Sequence, residues 1–225
     1  MNRRFVTYIL GWLLLLDCAF LCLPLVASLF FRESLEPWAA AIALAGLIGL
    51  LLVRVRPPAD RHIRPRDGFL VVSGAWIAIS IVGAVPYLVT GALGPVDGLF
   101  ESVSGFTTTG STVIADVTEI PRALLLWRAM SQWLGGMGII LFTIAILPLL
   151  GIGGMQLFKA EVPGPVADKV RPRLAATARS LWGIYVGLTG LEWLALRLAG
   201  VSGYEALCHS FTTLATGGFS TRNTS

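Results

Sequence analysis

The stretch SGFTTTGSTVI, residues 104–114, places three consecutive threonines, a glycine and a serine between two long apolar segments. Polar, non-helical backbone is costly in lipid, because the hydrocarbon core contains no water to bind its N–H and C=O groups. Such backbone is tolerated at membrane depth only where it is buried in protein or lines a water-filled cavity. If the flanking segments cross a membrane, this stretch is therefore expected to belong to a functional site.

The flanking segments have the length and composition of membrane-spanning helices. Of the 225 residues, 55% are apolar and only 13% are charged, whereas a soluble domain is about one quarter charged. A span requires roughly 20 mostly apolar residues, and five stretches qualify: about 5–31, 37–53, 69–90, 124–150 and 177–199. The first is too long for a signal peptide, so a retained helix is expected. The sequence predicts an all-α polytopic membrane protein.

Basic residues are concentrated on one side of these spans. They are Arg3, Arg4, Arg54, Arg56, Arg61, Arg64, Arg66, Lys159, Lys169, Arg171, Arg173 and Arg179. The positive-inside rule makes that side cytoplasmic and places the N-terminus inside. Because this rule accounts for the charges, the net charge of +4 is a poor argument for nucleic-acid binding.

The charged residues predicted for the opposite side are mainly acidic. They are Glu33, Glu36, Asp97, Glu101, Asp116, Glu119 and Glu205, against Arg32, Arg122, Arg128 and Arg222. Two interpretations remain open. These residues form either an acidic vestibule that raises the local cation concentration or ordinary solvated loop charges.

A short helix followed by a polar strand is predicted twice. The first runs through DGLFESVSGF, residues 97–106, into TTTGST, and the second through GYEALCHSFTT, residues 203–213, into LATGGFST. Aligning Gly110 on Gly217 gives an offset of 107 residues. The repetition indicates two copies of one helix–pore-loop unit.

Glycine-bearing strands of this kind suit a dehydrated monovalent cation. Backbone carbonyls can replace its water ligands without adding net charge, and glycine tolerates the unusual backbone angles that inward-pointing carbonyls require. The short helices would direct their negative ends toward the ion. The alternative is that Gly110, Gly217 and Gly218 only allow close helix packing. Two loops at matching positions favour the ion site.

Three stretches resemble the Trk/Ktr/HKT superfamily of cation transporters, and within it the bacterial TrkH-type potassium-uptake subunits. They are SGFTTTGSTV, QWLGGMGIILFTIAILPLLGIGGMQLFKAEVPGP and TTLATGGFSTRN. The resemblance covers roughly residues 67–223, and residues 1–56 are similar to the extra helix pair that TrkH-type members carry.

The resemblance implies a K+-channel-like architecture in which four helix–pore-loop–helix repeats surround one potassium pore. Carried over by motif, the potassium filter residues are Thr108, Thr109, Gly110 and Ser111 in the first strand and Ala215, Thr216, Gly217 and Gly218 in the second. Serine in place of the first glycine is associated with sodium permeation in some plant relatives. Gly110 therefore favours potassium.

The resemblance also divides the chain into four parts. They are an N-terminal helix pair at 1–56; a first pore repeat at 67–158, with helix 69–90, pore helix 97–106, filter 107–113 and helix 124–150; a cytoplasmic loop at 159–176; and an incomplete second repeat at 177–225, with helix 177–199, pore helix 203–213 and filter 214–220. Because such a piece cannot close a four-repeat pore alone, a fragment of a longer product is expected.

The resemblance further implies a setting and partners. The expected location is the bacterial inner membrane, and the transported ion is K+, with no cofactor. A TrkA-type cytoplasmic nucleotide-binding regulatory subunit and a second copy of the transporter are the expected protein partners.

Two rival functions remain. An intramembrane enzyme would use Ser104, Thr107 or Ser111 as nucleophile, but neither histidine is suitably placed as its base. A non-conducting membrane interaction subunit is the other alternative, if the chain ends at Ser225.

A few residues outside the loops are interpreted as structural. The ionisable residues Asp17 and Glu192 lie inside predicted spans, and His209 has no metal-binding partner in the sequence pattern. The motif WLGGMG, residues 133–138, is expected to pack the fourth span against the pore helix.

Overall fold

The computed structural model describes residues 2–56, 65–146 and 167–224, which form α-helices, one short 3-10 helix and no strand. The helices are α1 (Arg3–Phe31), α2 (Glu36–Val53), α3 (Pro65–Val89), α4 (Pro95–Phe106), α5 (Arg122–Ile146), α6 (Ala167–Leu198) and α7 (Gly203–Leu214), and the 3-10 helix is Val117–Glu119. The predicted all-α fold is confirmed for these residues.

Helices α1, α2 and α3 are each long and apolar enough to cross a membrane. Large apolar side chains such as Leu23, Phe30 and Leu47 are more than half exposed on their outer faces, as expected for surfaces that contact lipid. The stretches 124–150 and 177–199 overlap α5 and α6, and their role as spans stays a prediction. Residues 147–150 lie outside the described residues.

Helix α6 begins at Ala167, ten residues before the predicted start at 177. The expectation of a cytoplasmic loop through 159–176 is therefore wrong for residues 167–176, and residues 159–166 lie outside the described residues. The charged sequence of this segment suggested a loop, yet alanine, arginine and lysine are good helix formers. At 1.5 Å per residue, a helix of 32 residues is about 48 Å long, longer than the roughly 30 Å hydrocarbon core.

Helices α1 and α2 form a close hairpin because glycines lie at their contact. A Cβ on Gly11 would lie 2.8 Å from Val53, and one on Gly49 would lie 3.0 Å from Leu15. Near the turn, the indole N–H of Trp38 donates to the Ser28 hydroxyl at 2.6 Å. Small residues thus allow the backbones to approach, as is common between membrane helices.

Aromatic rings connect this hairpin to the rest of the chain. Trp127 of α5 makes edge-to-face contacts with Trp38 of α2 and Phe106 of α4, with ring centroids 6.4 Å and 5.9 Å apart. Its indole N–H donates to the carbonyl of Gly83 in α3 at 3.0 Å. Trp127 therefore contacts three helices and holds the end of α4 in place.

A carboxylate from the α1–α2 turn caps the start of α5. The Glu33 oxygens accept hydrogen bonds from the backbone N–H groups of Arg122 at 2.8 Å and Ala123 at 3.0 Å. These groups have no partner within the helix, and a negative charge is favourable there. The Tyr204 hydroxyl of α7 donates to the Arg122 carbonyl at 2.6 Å, so one helix end joins three parts of the chain.

Candidate functional site

The two polar loops leave their short helices in the same way. We call residues 107–114, which follow α4, the first loop, and residues 215–224, which follow α7, the second loop. In each, the first three N–H groups after the helix donate back to helix carbonyls at the same spacing. The bonds are Thr107 to Val103, Thr108 to Gly105 and Thr109 to Ser104 in the first loop, and Ala215 to Phe211, Thr216 to Thr213 and Gly217 to Thr212 in the second.

Both loops then adopt left-handed backbone at two alternate residues. The φ angle is 57° at Thr108 and 76° at Gly110, and it is 55° at Thr216 and 89° at Gly218. Residues other than glycine seldom adopt such angles. A threonine in this conformation in both loops is therefore a shared and specific feature of the backbone.

These angles correct the sequence alignment of the two loops. Helices α4 and α7 each have 12 residues and begin and end 108 positions apart. At this offset, Thr108 pairs with Thr216 and Gly110 pairs with Gly218. The offset of 107 residues, which paired Gly110 with Gly217, is wrong by one residue. Two adjacent glycines made the choice ambiguous in the sequence, and only the backbone angle separates them.

The two loops touch at their glycines. A Cβ on Gly110 would overlap the carbonyl oxygen of Gly217, and a Cβ on Gly217 would overlap the side chain of Gln132. Gln132 belongs to α5, is fully buried, and accepts a hydrogen bond from the Phe219 N–H at 3.1 Å. The loops and α5 therefore meet with no room for an added methyl group at either position.

Helix α5 also packs against the ends of both short helices through a glycine pair. A Cβ on Gly135 would overlap the Phe106 carbonyl, and one on Gly136 would lie 2.9 Å from the Tyr185 hydroxyl and 3.1 Å from Ala215. The packing interpretation of WLGGMG is supported by these contacts. The motif brings α5 close to both loops at once.

Hydroxyl groups at the first loop donate to backbone carbonyls of the loop and of α4. Ser104 donates to the Ser111 carbonyl at 2.5 Å, and Thr107 donates to the Val103 carbonyl at 2.7 Å. Two of the three proposed enzyme nucleophiles thus give their protons to carbonyls rather than to a base. An activated hydroxyl nucleophile requires a base within hydrogen-bonding distance, and this arrangement does not supply one to Ser104 or Thr107.

A buried ion pair, which sequence reasoning missed, lies against the loops. The Nη2 atom of Arg128 in α5 lies 2.7 Å from the Oε1 atom of Glu101 in α4. The Glu101 side chain is 0% exposed and the Arg128 side chain is 2% exposed. Neither interpretation of the outer charges, an acidic vestibule or solvated loop charges, applies to these two buried residues. The available signal was Arg128 itself, since a charge inside the apolar run LLLWRAM indicates a buried partner.

The outer parts of the loops are joined by polar contacts at the surface. Asn223 donates to Asp116 at 2.7 Å and accepts from the Val117 N–H at 2.9 Å. Hydrogen bonds from Thr118 and Asn223 lower the pKa of Asp116. These donors therefore favour the ionised form of the carboxylate.

A second surface contact lies on the second loop. Arg222 forms two hydrogen bonds to the Glu205 carboxylate, at 2.8 Å and 3.0 Å. The hydrogen bond from Arg222 lowers the pKa of Glu205. Because Arg222 is largely exposed, this pair is expected to contribute little to stability.

The second loop borders an open groove of about 350 Å³. Its lining residues are His209, Thr212, Thr213, Thr216, Gly217, Gly218, Phe219 and Ser220. Three of the four predicted residues of the second strand thus line the groove, whereas Ala215 is buried against α5. In the first strand, Thr109 and Ser111 are exposed and Thr108 and Gly110 are half-buried.

The fold and this site define a helical membrane protein with two short helices that each end in a glycine-bearing loop. Residues 39–225 match the family described as TrkH, cation transport protein. The chain belongs to this family, and the predicted superfamily membership is confirmed.

Relatives at high identity agree with the family assignment. The Trk system potassium uptake protein TrkH of Halomonas elongata is 43% identical over all of this chain and 48% of its own length. The Trk system potassium uptake protein TrkG of Escherichia coli K12 is 40% identical over 99% of this chain and 47% of its own length. The chain thus spans about half the length of the curated relatives that it matches.

A solved structure supports the fold in the same way. The crystal structure of the potassium transporter TrkH from Vibrio parahaemolyticus matches all of this chain and 46% of its own, with a TM-score of 0.87 and 36% identity. The likeness covers the helix hairpin, both short helices and both loops.

Proposed function

We propose that this chain is the filter-bearing N-terminal part of a potassium-translocating subunit. Potassium would pass along the backbone carbonyls of residues 108–111 and, at the corrected offset, of residues 216–219, without covalent chemistry. The observation that carries this proposal is the matching left-handed backbone at 108 and 110 and at 216 and 218 in two loops that touch. The names of the relatives, which are potassium uptake proteins, support the choice of ion.

The proposed setting is the bacterial inner membrane with the N-terminus in the cytoplasm. The excess of basic residues at the start of α1, after α2 and at the start of α6 supports this orientation. On the same side we place a TrkA-type nucleotide-binding regulatory subunit. The transporter is further proposed to form a homodimer. The family resemblance is the support for both the regulatory subunit and the second copy of the transporter.

The filter assignment is tested by Gly110→Ser in the complete protein. The φ angle of 76° and the contact with the Gly217 carbonyl leave no space for a side chain, so the substitution displaces both strands. We expect the ratio of potassium to sodium uptake to fall by about tenfold, which corresponds to roughly 1.4 kcal/mol of lost discrimination. The measurement is uptake of each ion by cells that lack other potassium systems, normalised to membrane-inserted protein.

Gly91→Ser is the matched control. Gly91 also has a positive φ angle, 70°, but no atom lies within 4 Å of the position of its Cβ. This variant carries a similar backbone strain away from the loops and is expected to retain the wild-type uptake ratio. An unchanged ratio of potassium to sodium uptake in Gly110→Ser would contradict the filter assignment. Absence of potassium uptake by the wild-type protein would contradict the transport proposal.

A further inference from the structure

The buried pair of Glu101 and Arg128 contacts both loops of the proposed filter. We propose that these two side chains are positioning residues that fix the loops relative to each other and so set cation discrimination. The inference rests on the proposed function, because it assigns a role in the filter to residues that carry none of its carbonyls.

Glu101 holds the outer half of the first loop. Its carboxylate accepts hydrogen bonds from the Thr112 hydroxyl at 2.8 Å and from the Val113 N–H at 3.1 Å. These two residues directly follow Ser111, whose carbonyl is bound by the Ser104 hydroxyl of the same helix. Helix α4 therefore fixes the first strand on its outer side through two separate side chains.

Arg128 connects the first loop to the second. One terminal nitrogen donates to the Thr112 hydroxyl at 3.1 Å, and the other donates to the Ser220 carbonyl at 3.3 Å. Its guanidinium carbon also lies 4.1 Å from the centre of the Phe219 ring. The planar guanidinium can make all of these contacts at once, whereas a lysine ammonium cannot.

The burial of both charges indicates a role in geometry. Removing two charges from water is costly, and a buried pair is often no more stabilising than apolar residues of similar size. What an ion pair adds is direction, since each donor and acceptor is satisfied in one arrangement only. Here that arrangement includes backbone groups of both loops.

In the part of the second repeat that the structure describes, no acidic residue stands at the position equivalent to Glu101. At the 108-residue offset, Glu101 aligns with His209, which lines the groove beside the second loop and is only half-buried. The second loop therefore depends on Arg128 of the first repeat for this contact. Removal of the pair is expected to change the relative position of the strands and not only the stability of one helix.

Glu101→Gln in the complete protein tests the inference. The amide keeps the shape and one acceptor oxygen but leaves the guanidinium of Arg128 without its counter-charge. We expect the ratio of potassium to sodium uptake, normalised to inserted protein, to fall by about tenfold. Glu119→Gln is the control, because it removes the same charge from an exposed side chain of the 3-10 helix, and it is expected to keep the wild-type ratio.

Thr112→Val is a second variant that keeps the ion pair and removes the hydroxyl between the two side chains. This variant tests the inference even if Glu101→Gln fails to insert into the membrane. We expect its ratio of potassium to sodium uptake to fall as well. The inference is overturned if the inserted variants keep the wild-type ratio of potassium to sodium uptake while Gly110→Ser lowers it. A smaller amount of inserted protein with an unchanged ratio overturns it as well. In that case the proposed filter stands and the pair is merely structural.

Discussion

At the scale of single residues, the adjacent glycines of the second loop are required for different reasons. Gly218 has a φ angle of 89° and no atom within 4 Å of the position of its Cβ, so its backbone conformation alone calls for glycine. Gly217 has no positive φ angle, but its Cβ would overlap Gln132. Backbone strain explains one glycine, and a close approach explains the other.

This difference predicts different responses to a second substitution. Gly217→Ala and Gly218→Ala are both expected to reduce potassium uptake. Adding Gln132→Ser should partly restore uptake to Gly217→Ala, because it removes the overlapping side chain, and should not help Gly218→Ala. The measurement is potassium uptake per inserted protein for the five variants, with Gln132→Ser alone as the control. Equal rescue of both glycine variants would contradict this explanation.

At the scale of helices, α5 organises the site. Its N-terminus is capped by Glu33, its Arg128 and Gln132 contact the loops, and its glycine pair packs against the ends of α4 and α7. These groups lie successively along the helix, so the position of α5 determines the positions of the others. The cap at its start is the contact that can be removed without touching the loops.

Glu33→Ala tests the importance of that cap. The substitution leaves two helix N–H groups without their charged acceptor, and we expect the free energy of unfolding to fall by roughly 1–3 kcal/mol. Glu119→Ala, at an exposed position in the short 3-10 helix, should stay within about 0.5 kcal/mol of the wild type. The measurement is unfolding of the purified protein in detergent. Equal stability of both variants would show that the cap contributes nothing.

At the scale of the whole molecule, the contacts determine which ends lie together. Glu33 binds the start of α5, which places the α1–α2 turn on the same side as the segment before α5. Helix α2 has 18 residues and is about 27 Å long, nearly the thickness of the hydrocarbon core. Arg54 at its far end is therefore expected on the opposite, cytoplasmic side.

Cysteine labelling tests this sidedness. In a variant of the complete protein whose native cysteines are replaced, including Cys18, Cys22 and Cys208 of this chain, Glu119→Cys should react with a membrane-impermeant maleimide in intact cells. Arg54→Cys should react only after the inner membrane is permeabilised. The reverse pattern would invert the proposed orientation while leaving the fold unchanged.

The sequence by itself determined the helices, the membrane setting and the family. Apolar runs of sufficient length decide membrane helices, and three local motifs were enough to identify the family. The two short helices were also predictable, because each is followed directly by a polar stretch that contains glycine. Among the boundaries that the described residues contain, the start of α6 was placed farthest from its position, since its charged residues are compatible with both a loop and a helix.

Only the tertiary structure decided the register of the loops and the group that holds them. Gly217 and Gly218 are the same residue type, and they differ only in backbone φ angle and in the contact with Gln132. Glu101 and Arg128 are separated by 27 residues. The position of Arg128 in an apolar run indicated a buried partner, but only the packing of α4 on α5 shows that this partner is Glu101. Local sequence determines periodicity and hydropathy, whereas burial and pairing depend on which distant residues the fold brings together.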